Sequence, residues 1–304
     1  MTEPVLDRLV VVGTGLMGAS LAATVRATGL AKQVIGLDAA QAEIAKRLGH
    51  VDLVVGALEE IFSRDDTLAI VIASPVHTYP EIFAAISRLS ERQALFFVTD
   101  IGSTKTGVIR AAPKLGPALC RFVSSHPMAG SERQGAVAAS ASLFQGARVL
   151  ISPLNDSSGV SGDSEVIGSI ASAEDAVIAV ENFWIALGAQ PSPLPIEDHD
   201  ALLSMISHLP HMVAYALAGT IASSALAGAA QALHGGGLRD TTRIAASSPE
   251  LWADIFLDNR EQLLAVWRDL LLEQQTLAKA LEDSDRSALI ELLTKSSHWR
   301  RGFQ

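Results

Sequence analysis

Six short apolar segments alternate with helical segments in the first half of the chain, and this alternation constrains the fold more than any other feature. The apolar segments are rich in β-branched residues and carry few polar side chains, which is typical of strands buried on both faces. Such strands form a parallel sheet covered by helices. The predicted strands are Leu9–Val12, Val34–Leu37, Leu68–Ala73, Leu95–Thr99, Arg121–Ser125 and Arg148–Ile151.

The second half of the chain has a different pattern, which begins after the proline-rich link Pro191–Pro195. A Ser/Gly-rich stretch between Asn155 and Ser172 predicts a surface loop, and the segment that follows predicts a helix ended by Gly188. Beyond the link the periodicity is helical throughout. The predicted helix before the link is Glu174–Leu187. The predicted helices after it are Asp200–His234 (interrupted or started near Pro210), Leu251–Leu281 and Asp285–His298.

A glycine turn lies between the first predicted strand and a predicted helix, Ser20–Thr28. Gly13 permits a tight turn, Gly15 lets the backbone approach a pyrophosphate, and Gly18 lets helix and strand pack closely. The helix N-terminus then binds the phosphates. The turn that we expect to bind a dinucleotide is Gly13-Thr14-Gly15-Leu16-Met17-Gly18.

Asp38 indicates which dinucleotide is bound. It closes the second predicted strand about 20 residues after Gly18, where a carboxylate accepts hydrogen bonds from ribose hydroxyls. It would repel a 2′-phosphate, and no arginine follows it, so NAD is favoured over NADP; a helix cap is the alternative role. Ser74 and Pro75 end the third predicted strand at the same edge and should line the cofactor crevice.

These features predict an α/β fold in two parts. The N-terminal domain is a Rossmann-type, doubly wound, mainly parallel sheet, and the C-terminal domain is all-helical. We place the boundary so that residues 1–196 bind NAD and residues 197–304 bind substrate and form a dimer.

Composition excludes several classes of partner. The chain has a formal net charge of -10, and its densest positive patch is Arg300-Arg301, so nucleic acid is not expected as a partner. Cys120 is the single cysteine, and no signal segment precedes the first strand. We therefore expect a cytoplasmic protein.

A charge-free stretch from Ala201 to Leu238 exceeds the roughly 20 residues that are needed to cross a bilayer. It contains Pro210, several histidines and serines, and many small residues rather than the large aliphatic residues of a lipid-facing helix. This composition favours a buried helix in a tightly packed helical domain. We predict no membrane contact, and we expect these charge-poor helices to form a homodimer.

Four further motifs stand at strand ends or in the helical half, and with the glycine turn they identify the family that the chain resembles. It is similar to the prephenate and arogenate dehydrogenases of tyrosine biosynthesis, from Leu9 to about Arg260. Thr104 stands where the family often has valine. The four motifs are Asp100-Ile-Gly-Ser-Thr-Lys105, Ser125-His-Pro-Met-Ala-Gly-Ser-Glu132, Asp198-His-Asp-Ala-Leu-Leu-Ser-Met-Ile-Ser-His-Leu-Pro-His211 and Gly235-Gly-Gly-Leu-Arg-Asp-Thr-Thr-Arg243.

His126 is the predicted general base. It follows a strand and precedes Pro127, so it lies at the carboxyl edge of the sheet, where α/β folds bind ligands. A histidine there can take a proton from an alcohol as hydride leaves the same carbon. Ser103 could hydrogen-bond the same hydroxyl, with a helix N-cap ahead of Lys105 as its alternative role.

The resemblance implies NAD-dependent oxidative decarboxylation of prephenate to 4-hydroxyphenylpyruvate, without a metal. It makes Arg243 the ligand of a substrate carboxylate, with an ordinary salt bridge as the alternative. It also places His199 and His211 at the active site, with His211 marking preference for prephenate; the alternative, above all for His199, is a hydrogen-bonded core histidine. Trp252 and Glu132 are weaker candidates for the substrate site: the first could belong to the core, and the second could be a gate or a helix-start carboxylate.

Three alternative functions stay open. Arogenate, or an amino-substituted prephenate, could be the substrate on the same scaffold. A β-hydroxyacid dehydrogenase would be expected to use a lysine in its helical domain, and no lysine lies between Ala201 and Thr242. A non-catalytic NAD-binding regulator would not need His126. Arg239 and Asp240 are expected to be structural, as an ion pair.

Overall fold

The computed structural model describes residues 6–61, 66–130, 133–154 and 173–303. Within these residues the chain forms a single eight-stranded sheet and twelve α-helices. The strands are β1 Leu6–Val12, β2 Ala31–Leu37, β3 Leu53–Val54, β4 Leu68–Ile72, β5 Leu95–Asp100, β6 Phe122–Pro127, β7 Arg148–Pro153 and β8 Gln190–Pro193. The helices are α1 Leu16–Thr28, α2 Ala42–Arg47, α3 Tyr79–Ser90, α4 Thr106–Ala111, α5 Ala173–Ala186, α6 Ile196–Leu203, α7 Leu209–Ala222, α8 Ala227–Leu233, α9 Gly236–Thr242, α10 Pro249–Asp258, α11 Arg260–Glu282 and α12 Arg286–Arg301.

The sheet has the order β3-β2-β1-β4-β5-β6-β7-β8. Strands β1 to β6 are parallel, whereas β7 pairs antiparallel with β6 and parallel with β8. The mainly parallel Rossmann-type sheet is thus confirmed, but the expectation that β7 runs parallel with the other predicted strands was wrong. The described part of the β6–β7 connection contains a short 3₁₀ turn, Ala136–Ala138, and no crossover helix of the kind that usually joins parallel neighbours.

Each face of the sheet carries its own apolar core, because successive strand residues point to opposite faces. On β1, Leu9 and Val11 pack into a core with α1 and α5, while Val10 and Val12 pack into a second core with α3 and α4. The sheet is therefore covered on both sides. Its carboxyl edge is left to face the helical half of the chain.

The long helices predicted for the second half are divided. The predicted helix Asp200–His234 consists of α6, a π-helical turn over Ser204–His208, α7 and α8. Pro210 lies in the first turn of α7, where its missing N–H removes no helical hydrogen bond. Asn259 separates α10 from α11. The boundary proposed at residue 196 stays a prediction, and the predicted loop at 155–172 lies outside the described residues.

The apolar stretch Ile196–Ala222 is long and apolar enough to cross a membrane by length and composition, yet only 22% of its most apolar window is buried within the chain. In α7 the buried residue is Ala214, and Leu217 is 37% exposed. The expectation of a helix buried in the core was therefore wrong for the single chain. The apolar surface of α7 exceeds what the neighbouring helices of the same chain cover.

Candidate active site

A cavity of about 1370 Å³ lies between the carboxyl edge of the sheet and the helical half of the chain. It is lined by residues from the glycine turn, from the ends of β4, β5 and β6, and from the helical half. The predicted site residues that line it are Gly15, Leu16, Met17, Ser74, Pro75, Ser103, His126, His211, Arg243 and Trp252.

The glycine turn has the geometry of a phosphate cradle. Gly13 has φ +90°, and a Cβ there would lie 2.6 Å from the backbone nitrogen of Ser74. A Cβ on Gly18 would overlap the Gly13 carbonyl, whereas a Cβ on Gly15 would meet nothing within 4 Å. Two glycines are thus required for packing, and Gly15 keeps open space above the N-terminus of α1. Thr14 Oγ1 is buried there without a hydrogen-bond partner among the described residues.

Asp38 lies at the end of β2 and joins the glycine turn to α2. Its Oδ2 accepts a hydrogen bond from the Thr14 backbone nitrogen at 2.8 Å. Its Oδ1 accepts from the backbone nitrogens of Ala40 at 2.8 Å and Gln41 at 2.9 Å. The carboxylate therefore holds the turn ahead of α2, whose N-cap residue is Gln41, and it places a negative charge beside the glycine turn.

His126 ends β6 and begins a buried chain of three polar side chains. Its Nδ1 lies 3.0 Å from His199 Nε2, and His199 Nδ1 lies 2.8 Å from Asp200 Oδ1. A carboxylate can only accept, so the hydrogen of His199 is on Nδ1 and its Nε2 accepts from the Nδ1–H of His126. The remaining nitrogen of His126, Nε2, carries the lone pair of the neutral ring; it forms no hydrogen bond to the described residues, and the ring lines the cavity.

The electrostatics keep this chain ready to accept a proton. Burial, followed by the neighbouring His199 and Lys105, lowers the pKa of His126 well below its usual value. Burial also lowers the pKa of His199. Burial opposes ionisation of Asp200, but the hydrogen bonds from His199 and Thr106 outweigh it and hold the pKa of this carboxyl below its usual range. At neutral pH both rings are neutral and the carboxylate is charged.

Asp200 also connects the two halves of the chain. Its Oδ1 accepts from the backbone nitrogen of Lys105 at 2.8 Å, and its Oδ2 accepts from the Thr106 nitrogen at 2.7 Å and the Thr106 hydroxyl at 2.6 Å. The carboxylate at α6 thus caps the N-terminus of α4. Ser103 does not form this cap, because the N-cap residue of α4 is Lys105, and it lines the cavity instead. Thr104 donates to Asp258 at the end of α10.

A fully buried ion pair holds the β5–α4 turn against β6. Lys105 Nζ donates to Asp100 Oδ2, to the carbonyl of Gly102 and to the carbonyl of Ser125, each at 2.9 Å. Asp100 Oδ1 accepts from the Ser124 hydroxyl at 2.6 Å. Each proton of the ammonium has a partner, which offsets the cost of burying the charge. The pair fixes the backbone immediately before His126.

Three aromatic rings form the wall contributed by the helical half. His211 stacks on Trp252 with ring centroids 3.5 Å apart, and its Nδ1 lies 2.9 Å from the carbonyl of Ser207. The ring of His208 lies edge-on to Trp252, with the two ring centroids 6.1 Å apart. Trp252 is largely buried but still lines the cavity, so it belongs to both the core and the site.

Arg243 lines the cavity from the helical half and lies directly after α9. Its side chain is exposed and forms no ion pair within the part of the chain that the structure describes. The segment before it is helix α9, which begins at Gly236. Arg239 and Asp240 form the expected ion pair at 3.2 Å, exposed to solvent.

One expected position differs. His199 was expected to face the active site, but it is fully buried behind His126 and does not line the cavity. The reason is its neighbour Asp200, which is tied to the α4 N-terminus and draws the His199 ring under β6. Glu132 lies outside the described residues.

Sequence reasoning gave no role to several residues that organise the site. Lys105 and Asp200 stood inside quoted motifs, where a lone lysine and a His-Asp pair were the available signals. His208 and Asn259 were also missed: their contact spans 51 residues and has no local pattern.

Family models match both halves of the chain. Residues 21–165 match the nucleotide-binding domain of prephenate dehydrogenase, and residues 195–295 match its dimerization domain. The first match begins after the glycine turn, so the assignment of that turn depends on its own geometry.

Individual relatives agree over nearly the whole chain. The prephenate dehydrogenase of Bacillus subtilis is 30% identical over 299 residues, covering 97% of this chain and 76% of the relative. The cyclohexadienyl dehydrogenase of Zymomonas mobilis is 27% identical over 300 residues, covering 97% and 96%.

Solved structures show the same architecture. Prephenate dehydrogenase from Aquifex aeolicus, in complex with hydroxyphenyl propionate and NAD+, superposes with a TM-score of 0.81 at 29% identity, covering 98% of this chain and 99% of that one. Arogenate dehydrogenase from Synechocystis gives 0.72 at 26% identity, covering 98% and 100%. Because both family domains match and a prephenate dehydrogenase is 30% identical over 97% of the chain, the chain belongs to the prephenate dehydrogenase family.

Proposed function

We propose that this chain catalyses the NAD-dependent oxidative decarboxylation of prephenate to 4-hydroxyphenylpyruvate and carbon dioxide. The observation that carries the proposal is the chain His126–His199–Asp200, which leaves one free lone pair on a neutral ring in the cavity. That arrangement suits a general base for a hydroxyl group.

The protein's part in the reaction is to orient the ring and remove one proton. His126 Nε2 accepts the proton of the ring hydroxyl, and the resulting imidazolium is stabilised through His199 by the Asp200 carboxylate. Ser103 is positioned on the cavity wall to hydrogen-bond the same hydroxyl. The ring carbon that bears the hydroxyl loses a hydride, for which NAD would be the acceptor when bound. The ring carboxylate leaves as carbon dioxide, the electron pair of its broken C–C bond makes the ring aromatic, and the ring oxygen takes a proton back from the His126 imidazolium.

The glycine turn and its surroundings fit NAD. Gly15 leaves space for a pyrophosphate at the N-terminus of α1, and Leu16, Met17, Ser74 and Pro75 line the adjoining wall. Asp38 supplies a carboxylate for the ribose hydroxyls and a charge that repels a 2′-phosphate. The protein would hold the cofactor with these groups.

The cavity also suits an anionic substrate, although the whole chain is acidic. Its cationic lining residues outnumber its carboxylates, Asp254 and Asp258, among the residues described. Arg243 has no carboxylate partner of its own there, and a guanidinium can bind a substrate carboxylate through two parallel hydrogen bonds. The cationic lining residues are Arg110, Lys114, Arg133 and Arg243.

The proposal extends to assembly and location. The exposed apolar surface of α7 and α8, together with the match of residues 195–295 to a dimerization domain, supports a homodimer. The polar half of Ile196–Ala222 is engaged with the nucleotide-binding half, which supports a role away from membranes, in the cytoplasm. Arogenate is the second candidate substrate, since an arogenate dehydrogenase is among the similar structures.

A paired substrate assay tests the proposal. The absorbance of the NADH or NADPH that forms is followed with prephenate and with arogenate, each in the presence of NAD or of NADP. We expect turnover with prephenate and NAD. Turnover with arogenate alone would contradict the substrate, preference for NADP would contradict the role of Asp38, and no turnover with either substrate would contradict the enzyme assignment.

A further inference from the structure

His208 is a buried histidine that the reaction outlined above does not use. It ends the π-helical turn Ser204–His208 and is only 1% exposed, yet its ring lines the cavity next to Trp252. One ring nitrogen, Nδ1, lies 2.9 Å from Asn259 Nδ2. The other, Nε2, forms no hydrogen bond within the described residues.

The orientation of the Asn259 amide is fixed by a second contact. Asn259 Nδ2 also donates to the main-chain carbonyl of Asp200 at 2.8 Å. A carbonyl oxygen only accepts, so turning the amide by 180° would place two acceptor oxygens against each other. Asn259 is 2% exposed, so water does not compete for this contact. The amide NH₂ therefore faces both Asp200 and His208.

The fixed amide determines which nitrogen of His208 carries the hydrogen. Because Asn259 donates to Nδ1, that nitrogen must be an acceptor, and the hydrogen of the neutral ring is on Nε2. Burial lowers the pKa of His208 to about 4, so the ring is neutral at physiological pH. His208 is thus a donor at its remaining nitrogen.

His211, one turn away, has the opposite polarity. Its Nδ1 donates to the carbonyl of Ser207, so its Nε2 is an acceptor when the ring is neutral. Burial lowers the pKa of His211 as well. The two histidines of the helical wall consequently differ in what each can bind: an oxygen acceptor for His208, and a donor group for His211.

We propose that His208 is a substrate-positioning residue that donates from Nε2 to a carboxylate or keto oxygen of the substrate, and that Asn259 locks it in this tautomer. The proposal rests on the proposed function, because it concerns the substrate of that same site. A locked donor favours an oxygen acceptor and disfavours an ammonium group at the same position. It therefore contributes to selection of a keto acid over the corresponding amino acid.

The tautomer can be measured without substrate. In protein labelled with ¹⁵N-histidine and saturated with NAD, long-range ¹H–¹⁵N correlation spectra distinguish the two neutral tautomers, and the His208 signal is assigned by its loss in His208→Gln. We expect the Nε2–H form in the wild type and loss of that form in Asn259→Asp, whose carboxylate would accept from Nδ1. An Nδ1–H signal for His208 in the wild type would overturn the lock.

Steady-state kinetics test the contact with substrate. His208→Leu removes the donor, and we expect KM for prephenate to rise on the order of tenfold to a hundredfold with kcat changed less than about threefold. His208→Gln places an amide NH₂ near Nε2 and should keep KM within about threefold of the wild type. His298→Leu, the same substitution at an exposed histidine on α12, is the control and should change neither parameter.

The outcomes separate the two proposals. Equal KM values for His208→Leu and the wild type, or an equal rise for the Leu and Gln variants with unchanged NAD affinity, would overturn the donor role. If the wild type did not turn over prephenate, the proposed function would fail and the substrate contact of His208 with it. The spectra would still decide the tautomer lock, because they are recorded without substrate.

Discussion

The two ends of the segment that runs from α6 to α8, here called the polar end and the apolar end, differ in a way that hydropathy does not anticipate. At α6 and the π-helical turn, His199, Asp200 and His208 are polar and buried, whereas at α8 the apolar Leu226 and Leu233 are 71% and 83% exposed. The polar end is buried because its groups have hydrogen-bond partners, most of them across the boundary with the sheet. The apolar end is exposed because none of the residues that the structure describes packs over it. One end is complete within a single chain, and the other is not.

The largest expected effect is at the polar end. His126→Asn should lower kcat for prephenate by about 10²–10⁴-fold, because the general base is lost, while NAD affinity stays within about twofold. For the wild type, the lowered pKa of His126 predicts that kcat/KM is level at neutral pH and declines only as pH falls below 6.5, where the base becomes protonated. Steady-state kinetics across pH and fluorescence titration with NAD check both points. Unchanged turnover in His126→Asn would remove the base assignment.

A smaller effect is expected where the polar end is anchored. Asp200→Asn keeps one acceptor oxygen but loses the charge that fixes His199 and caps α4, so we expect about tenfold lower kcat and about 1–3 kcal/mol lower free energy of unfolding.

The pH dependence of stability isolates the carboxylate. The pKa of Asp200 is lower in the folded chain than its ordinary value of 3.8, so the stabilisation by this carboxylate is present above that pH and is lost as pH falls further. The difference between wild type and Asp200→Asn in urea unfolding should therefore shrink on acidification from pH 6 to about pH 3. A difference that is constant or grows would show that the carboxylate does not carry the effect.

The smallest effect on the site itself is expected from the apolar end. Leu226→Glu places a charge on the exposed surface beside α8 and should raise the dimer dissociation constant by about tenfold or more, because the charge would be buried between chains. NAD affinity should change by less than about twofold. Ile178→Glu on α5, at 54% exposure in the other half, is the matched control and should leave the assembly intact. Light scattering over a dilution series measures the dimer dissociation constants of the wild type and of the two variants. A wild type that is monomeric throughout would contradict the homodimer.

Much of the architecture follows from local patterns. All six predicted strands are present. A buried strand shows a short run of apolar, β-branched residues, and this pattern does not depend on which strands pair with it. The strand–glycine–helix order located the cradle at Gly13, and the position of His126 after a strand placed it at the sheet edge. The two-residue strand β3 was missed because it is too short to show a period.

The sequence by itself determined the sheet, the glycine turn, the family and the residue at the sheet edge that can act as a base, because each depends on neighbours within a few positions or on a motif. Only the tertiary structure decided that His199, 73 residues from His126, lies behind it at 3.0 Å, that Asn259 sets the tautomer of His208, and that α7 leaves its apolar surface exposed. These depend on how two separately patterned halves pack together. Hydrogen-bond direction and burial are properties of that packing, and no local periodicity encodes them.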